Sequence, residues 1–188
     1  MRLLLMVLSG LVCALSEAGW AADTVALGEL AKPGRVLMLR HANAPGTGDP
    51  PNFALGDCAT QRNLDAAGRA QARALGQRLA KAGIGQARVY SSQWCRCLET
   101  ARLLGLGPVE PLPALNSFYG RADQREVRLA ALRAFLAGLP TTGGPVVLVT
   151  HQFTITSFTG EGVASGGGSL FKLNGSSAPR LLGPVEAD

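Results

Sequence analysis

Lysine is almost missing from this chain: Lys32, Lys81 and Lys172 are its only three, although Lys and Arg together number 18 against 13 Asp and Glu. Arginine therefore carries the net charge of +5. Guanidinium forks suit phosphate and carboxylate partners better than ammonium groups do, but a GC-rich genome that favours Arg codons accounts for much of the bias, and basicity alone does not call for a nucleic acid. Aromatic residues are scarce at 5%, and there are two histidines, His41 and His151. No internal repeat is apparent. With 47% hydrophobic and 16% charged residues, the composition excludes disordered, collagen-like and coiled-coil chains and suits one folded domain.

Long apolar runs are confined to the start of the chain. Arg2, the run Leu3–Leu15 and small residues up to Ala21 read as an export signal, too short to span a bilayer. Cleavage after Ala21 assigns residues 1–21 to a signal peptide and 22–188 to one domain. No later segment offers a membrane anchor, so a periplasmic or secreted location is expected. Cys13 leaves with the signal, and Cys58, Cys95 and Cys97 remain. In an oxidising compartment two of these should pair, and because residues two apart bridge poorly, Cys58 should bond to Cys95 or Cys97. A metal site is not expected, since there is no Cys-x-x-Cys and the histidines lie far apart.

Short apolar runs at Val36–Leu39, Val89–Ser91 and Val146–Thr150 read as buried parallel strands. Between them, Asp65–Ala82 places Ala72, Leu75, Leu79 and Ala82 on one face of an amphipathic helix closed by Gly83. A helix near Trp94 is expected with Ser92 as its cap, and another after Asp123 and Glu126, which have the spacing of an acidic capping box. Ser169–Leu173 and Pro179–Leu182 read as a hairpin, and the Gly-rich stretch Ser165–Ser169 as a flexible connection. The fold class is α/β: a single three-layer α/β/α domain with a mainly parallel central sheet and ligands at the carboxyl ends of its strands.

Both histidines stand at such ends. Arg40 and His41 follow the first strand, His151 follows Thr150, Arg62 stands ahead of the first long helix and Arg96 in the segment Ser91–Arg96, an arrangement that offers three guanidinium forks and two imidazoles able to converge. Converging guanidinium groups need an anion, supplied either by carboxylates of the protein or by a phosphoryl ligand.

Arg40-His41, Arg62-Asn63-Leu64 with Gly68 and Gln71-Ala72, Ser91-Ser92 with Arg96 and Glu99-Thr100-Ala101, and Thr150-His151 together resemble the histidine phosphatase superfamily, also called phosphoglycerate-mutase-like. The match runs in order from about Val36 to Phe158. The small size is similar to its short exported members, the lipopolysaccharide-core heptose phosphate phosphatases, and to the short phosphohistidine phosphatases. The resemblance implies that His41 is the nucleophile that becomes phosphorylated, that Arg40, Arg62 and Arg96 hold the phosphoryl oxygens, and that His151 is the second histidine of the pocket. It implies no metal and no organic cofactor. The implied partner is a small phosphorylated substrate, with an envelope sugar phosphate among the candidates, and neither a nucleic acid nor a membrane anchor. A disulfide from Cys58 to Cys95 would tie two phosphate-binding arms together.

The chain departs from the family where many members carry the acid that protonates the leaving group: Leu115–Gly120 holds no carboxylate. Asp123, Glu126 and Asp57 are the nearby alternatives. Glu99 is expected to orient Arg96, and the loop Asn43–Gly56 to overhang the site. The reading is an exported phosphatase with a phosphohistidine intermediate; the alternative is a noncatalytic phosphate- or sugar-phosphate-binding protein that lost the acid.

Overall fold

The run Val36–Leu39 has no polar side chain to leave at a surface, and in the computed structural model, which describes residues 24–187, it forms the buried middle of strand β1 (Arg35–Arg40). Strand β4 (Val146–Thr150) is buried throughout and lies parallel to it, with Val36 opposite Val146 and Arg40 opposite Thr150. Beyond β4 come the parallel strands β2 (Arg88–Ser91) and β3 (Val109–Pro111). On the other edge β5 (Gly168–Lys172) and β6 (Arg180–Val185) run antiparallel, giving the order β3-β2-β4-β1-β5-β6. The last two strands are the expected hairpin, joined through Asn174-Gly175.

Alternation along the strands builds the layers. Leu37, Leu39, Val147 and Val149 face a core with helices α1 (Ala66–Lys81) and α2 (Cys95–Leu103), whereas Val36, Met38, Val146 and Leu148 face α3 (Arg125–Gly138) and α4 (Gln152–Thr159). The result is the expected α/β/α sandwich with a mainly parallel sheet. Among the described residues, no helix is long and apolar enough to cross a membrane. The segment read as a signal peptide lies outside the described residues.

Helix starts differ from expectation in two places. Asp65 caps α1 by accepting the Gly68 N–H, as its residue type suggests. Ser92 instead accepts the Trp94 N–H before α2 begins, and the Cys95 N–H of the first turn is met by the Gln61 side chain from another loop. Asp123 and Glu126 form no capping box. A short 3-10 turn, Ala122–Gln124, precedes α3, Asp123 accepts from the Gln124 side chain, and Glu126 pairs with Arg125. The Gly-rich stretch also departs from the flexible connection expected of it: Gly166 N–H donates to the His41 carbonyl and Arg40 N–H to that of Gly167. A Cβ on Gly166, whose φ is +77°, would lie 2.7 Å from Gln71.

Candidate functional site

The parallel pairing of β1 and β4 delivers both histidines to one place. His41 N–H donates to the Thr150 carbonyl at 3.0 Å, and the two imidazole rings lie edge to face with centroids 5.6 Å apart. Nδ1 of His41 is 2.8 Å from the Ala42 carbonyl oxygen. A carbonyl only accepts, so Nδ1 carries the proton and Nε2 keeps its lone pair. Burial, with the charges of Arg96, Arg62 and Arg40 adding to it, outweighs that hydrogen bond and holds the His41 pKa down at about 3. Burial is the largest of these causes.

The loop after His41 is fixed from behind. Thr100 Oγ1 accepts the Ala42 N–H at 3.0 Å, and Gln71 accepts the Asn43 N–H at 2.9 Å while donating to the Ser165 carbonyl at 2.8 Å. Gly68 meets Asn43 so closely that a Cβ would lie 2.0 Å from its carbonyl oxygen. The residues flanking the motif arginines therefore position the loop that follows His41. None of them lines the cavity.

His151 is locked differently. The Ser92 hydroxyl donates to Asn116 Oδ1 at 3.2 Å, which leaves the Ser92 oxygen to accept from His151 Nε2 at 2.9 Å. Asn116 is buried and also accepts the Gln93 N–H. It occupies the stretch in which an acid was sought, and it holds the second histidine in one tautomer. Burial drives the His151 pKa well below its ordinary value, so it sits neutral. Beside it the buried Cys97 thiol is pushed up to about 12 by its own burial.

Arg40, Arg62 and Arg96 converge with the histidines on one cavity of about 670 Å³. Arg40 Nη1 donates to the Val163 carbonyl, Arg62 to those of Gly48 and Ala44. The buried Nε atoms of Arg40 and Arg96 have no hydrogen-bond partner among the described residues. The anion question has an intermediate answer: Arg96 forms a two-pronged pair with Asp49, at 2.7 and 3.2 Å, while among the described residues no carboxylate side chain pairs with the Arg40 or Arg62 guanidinium. Asp49 also accepts from Trp94 Nε1 at 2.9 Å and Arg62 N–H at 3.1 Å. Burial raises its pKa, but the Arg96, Trp94 and Arg62 contacts together outweigh that and keep it ionised.

Asp49 escaped sequence reasoning because a lone Asp among Gly and Pro reads as a turn residue. Among the described residues it is the one carboxylate lining the cavity, and Asp57, Asp123 and Glu126 are absent from the lining. Asp57 instead caps a short 3-10 turn through the Ala59 N–H. Glu99 pairs with Arg69 rather than Arg96. The expected overhang is present, since Gly46 to Pro51 and Phe53 line the mouth. A disulfide joins Cys58 to Cys95 and leaves Cys97 free.

The sequence profile of the histidine phosphatase superfamily (branch 1) matches residues 36–130. A search of curated proteins finds no match to the chain. Among solved structures, the fold is similar to the protein histidine phosphatase SixA complexed with tungstate, with a TM-score of 0.57 at 18% identity over 81% of this chain and 97% of that one. It is similar to mycobacterial glucosyl-3-phosphoglycerate phosphatase bound to inorganic phosphate, with a TM-score of 0.58 at 19% identity over 82% and 97%. The phosphoserine phosphatase of Entamoeba histolytica in complex with 3-phosphoglyceric acid aligns at a TM-score of 0.54 and 14% identity over 81% and 96%.

Proposed function

Because this chain belongs to the histidine phosphatase superfamily, we propose that it is an exported phosphatase that hydrolyses small phosphorylated compounds through a phosphohistidine on His41. One observation carries this reading: His41, a buried, neutral imidazole whose Nδ1 is held by the Ala42 carbonyl and whose Nε2 keeps its lone pair, lines a cavity that Arg40, Arg62 and Arg96 also line. A phosphoryl group seated among those guanidinium groups has its oxygens neutralised and its phosphorus facing a free base. Nε2 forms a bond to phosphorus as the ester P–O bond breaks, and the leaving oxygen departs with that electron pair and takes a proton from solvent. Water then attacks the phosphohistidine, gives up its proton and releases inorganic phosphate, so the sum is substrate plus water to alcohol plus phosphate.

Asp49 is a poor proton donor because Arg96 holds it ionised. The chemistry therefore favours leaving groups that need little help, such as phosphohistidine, acyl phosphates and aryl phosphates. The same observation supports a second reading, a noncatalytic phosphate- or sugar-phosphate-binding protein. Export to the periplasm or medium is supported by the leader-like residues 1–21 and by the Cys58–Cys95 bond, which suits an oxidising compartment.

The test is rapid quenching with a 32P-labelled aryl phosphate. Acid-labile, alkali-stable label should appear on a peptide containing His41, and His41→Ala should lose the label and lower turnover by about 10³-fold or more. Full turnover in the variant overturns the mechanism. Phosphate binding without turnover of any ester establishes the binding protein.

A further inference from the structure

The cavity is much larger than a phosphoryl group needs, and about 670 Å³ is the size of a site that encloses a whole small organic ligand. Its outer wall is aromatic in a chain that is only 5% aromatic. Phe53 stacks on Trp94 with centroids 5.0 Å apart and planes 18° apart, and Tyr119 lies against Phe153 at 5.3 Å and 32°. All four line the cavity. Tyr119 and Phe153 are 50% and 48% exposed, which leaves much of each ring uncovered. Arg121 stands with them: the Arg121 N–H donates to the Phe118 carbonyl, closing a turn in which Tyr119 and Arg121 both reach the mouth, and its guanidinium lies 5.8 Å from the Phe53 centroid. No carboxylate pairs with it among the described residues, in contrast to Arg96, which pairs with Asp49.

Resting on the phosphatase reading, we propose that Phe53, Tyr119, Arg121 and Phe153 form a leaving-group subsite for a flat ring bearing an anionic substituent. The uncovered ring faces receive a ring by stacking, and the Arg121 guanidinium receives a carboxylate or second phosphate on it. Aryl rings and pyranose rings share the required flat apolar face. The rings line a concavity continuous with His41, so the ring of the substrate and its phosphoryl group are held at once.

Nonhydrolysable phosphonates separate this proposal from the reading beneath it. Calorimetric titration compares methylphosphonate with an aryl pair, phenylphosphonate and 4-carboxyphenylphosphonate, and a glycosyl pair, the C-glycosyl phosphonates of glucose and glucuronic acid. One pair should bind about tenfold tighter than methylphosphonate, identifying the ring, and its carboxylate member severalfold tighter again. Phe153→Ala should shrink the ratio of ring to methyl affinity, and Arg121→Gln should bring the ratio of carboxylate to neutral ring close to one. Methylphosphonate binding as tightly as all four ring ligands overturns the subsite while leaving the phosphate pocket standing. Ratios that survive both substitutions overturn it as well. Failure of methylphosphonate itself to bind refutes the phosphate pocket and the subsite with it.

Discussion

His41 and His151 owe their positions to the ladder of two adjacent parallel strands, with His41 bonded through its own backbone to Thr150. Arg62, by contrast, sits on a loop of no regular structure. It is fixed by a disulfide four residues before it, by its own bonds to the Gly48 and Ala44 carbonyls, and by Gln61 reaching the first turn of α2. The two histidines thus rest on the most buried part of the molecule, whereas the Arg62 arm rests on cross-links from an exposed loop to the buried start of α2. Side chains placed on strand ends tolerate change in the loops around them, so the loops can vary while the histidines stay fixed.

Cutting the cross-link is the strongest way to test that division. Cys58 and Cys95 are 37 residues apart, and closing a loop of that length stabilises the fold by about 3 to 4 kcal/mol on a chain-entropy account. The double variant Cys58→Ser/Cys95→Ser should lose stability of that order in urea titrations and bind phosphate severalfold more weakly, because the Arg62 arm and the Gln61 contact loosen together. The division fails if stability falls while phosphate affinity is untouched, since Arg62 would then be held by its carbonyl contacts alone.

Acid probes the other region. His41 is held at about 3 in the folded protein against about 6.5 in an unfolded chain. Above pH 6.5 the imidazole is neutral in both states and stability does not depend on it. As pH falls below 6.5 the unfolded chain takes up a proton that the folded site refuses, so stability drops until about pH 3. For His41 this amounts to roughly 2 to 3 kcal/mol by pH 4.5, and His151 acts in the same direction. Thermal melts of His41→Asn between pH 7.5 and 4.5 should show a shallower decline than the wild type. Equal slopes would mean that His41 is not buried as a neutral base.

Features that depend on local pattern were legible in the sequence. The apolar runs of β1, β2 and β4, the amphipathic helix α1 and the terminal hairpin all follow from spacing and residue type. The motif residues His41, His151, Arg40, Arg62 and Arg96 do line one cavity. What escaped is what depends on contacts distant in sequence. Gln152–Thr159 forms α4 despite its β-branched Thr and Ile, because Ile155 packs into the core beside Val36, Met38 and Leu148. Asp49 looked like a turn residue, yet it reaches across 47 positions to Arg96. Asn116 carries no charge, so nothing local marked it as the residue that anchors Ser92 and His151. Ser165–Ser169 looked flexible from composition alone, whereas its backbone bonds to Arg40 and His41 at the end of β1.

Glu99 offers the mildest test, because it belongs to neither region. It lies in α2 three residues after Arg96, where an ion pair with that arginine was expected, but its carboxylate accepts from Arg69 of α1 at 2.6 and 3.3 Å. The side chains are 40% and 33% exposed, so solvent screens the pair and it contributes under about 1 kcal/mol. The pair draws α1 and α2 together on their outer side, away from the Asp49 carboxylate that Arg96 uses instead. Glu99→Gln keeps the shape of the side chain and removes its charge. It should cost only a few tenths of a kcal/mol to about 1 kcal/mol in urea titrations, with the loss fading at high salt. Turnover of an aryl phosphate should stay within about twofold of the wild type, because Arg96 keeps its partner. A tenfold loss of turnover with stability intact would show that the charge of Glu99 is felt at Arg96 after all, and the boundary between the strand-end site and its helical support would have to be drawn one turn further along α2.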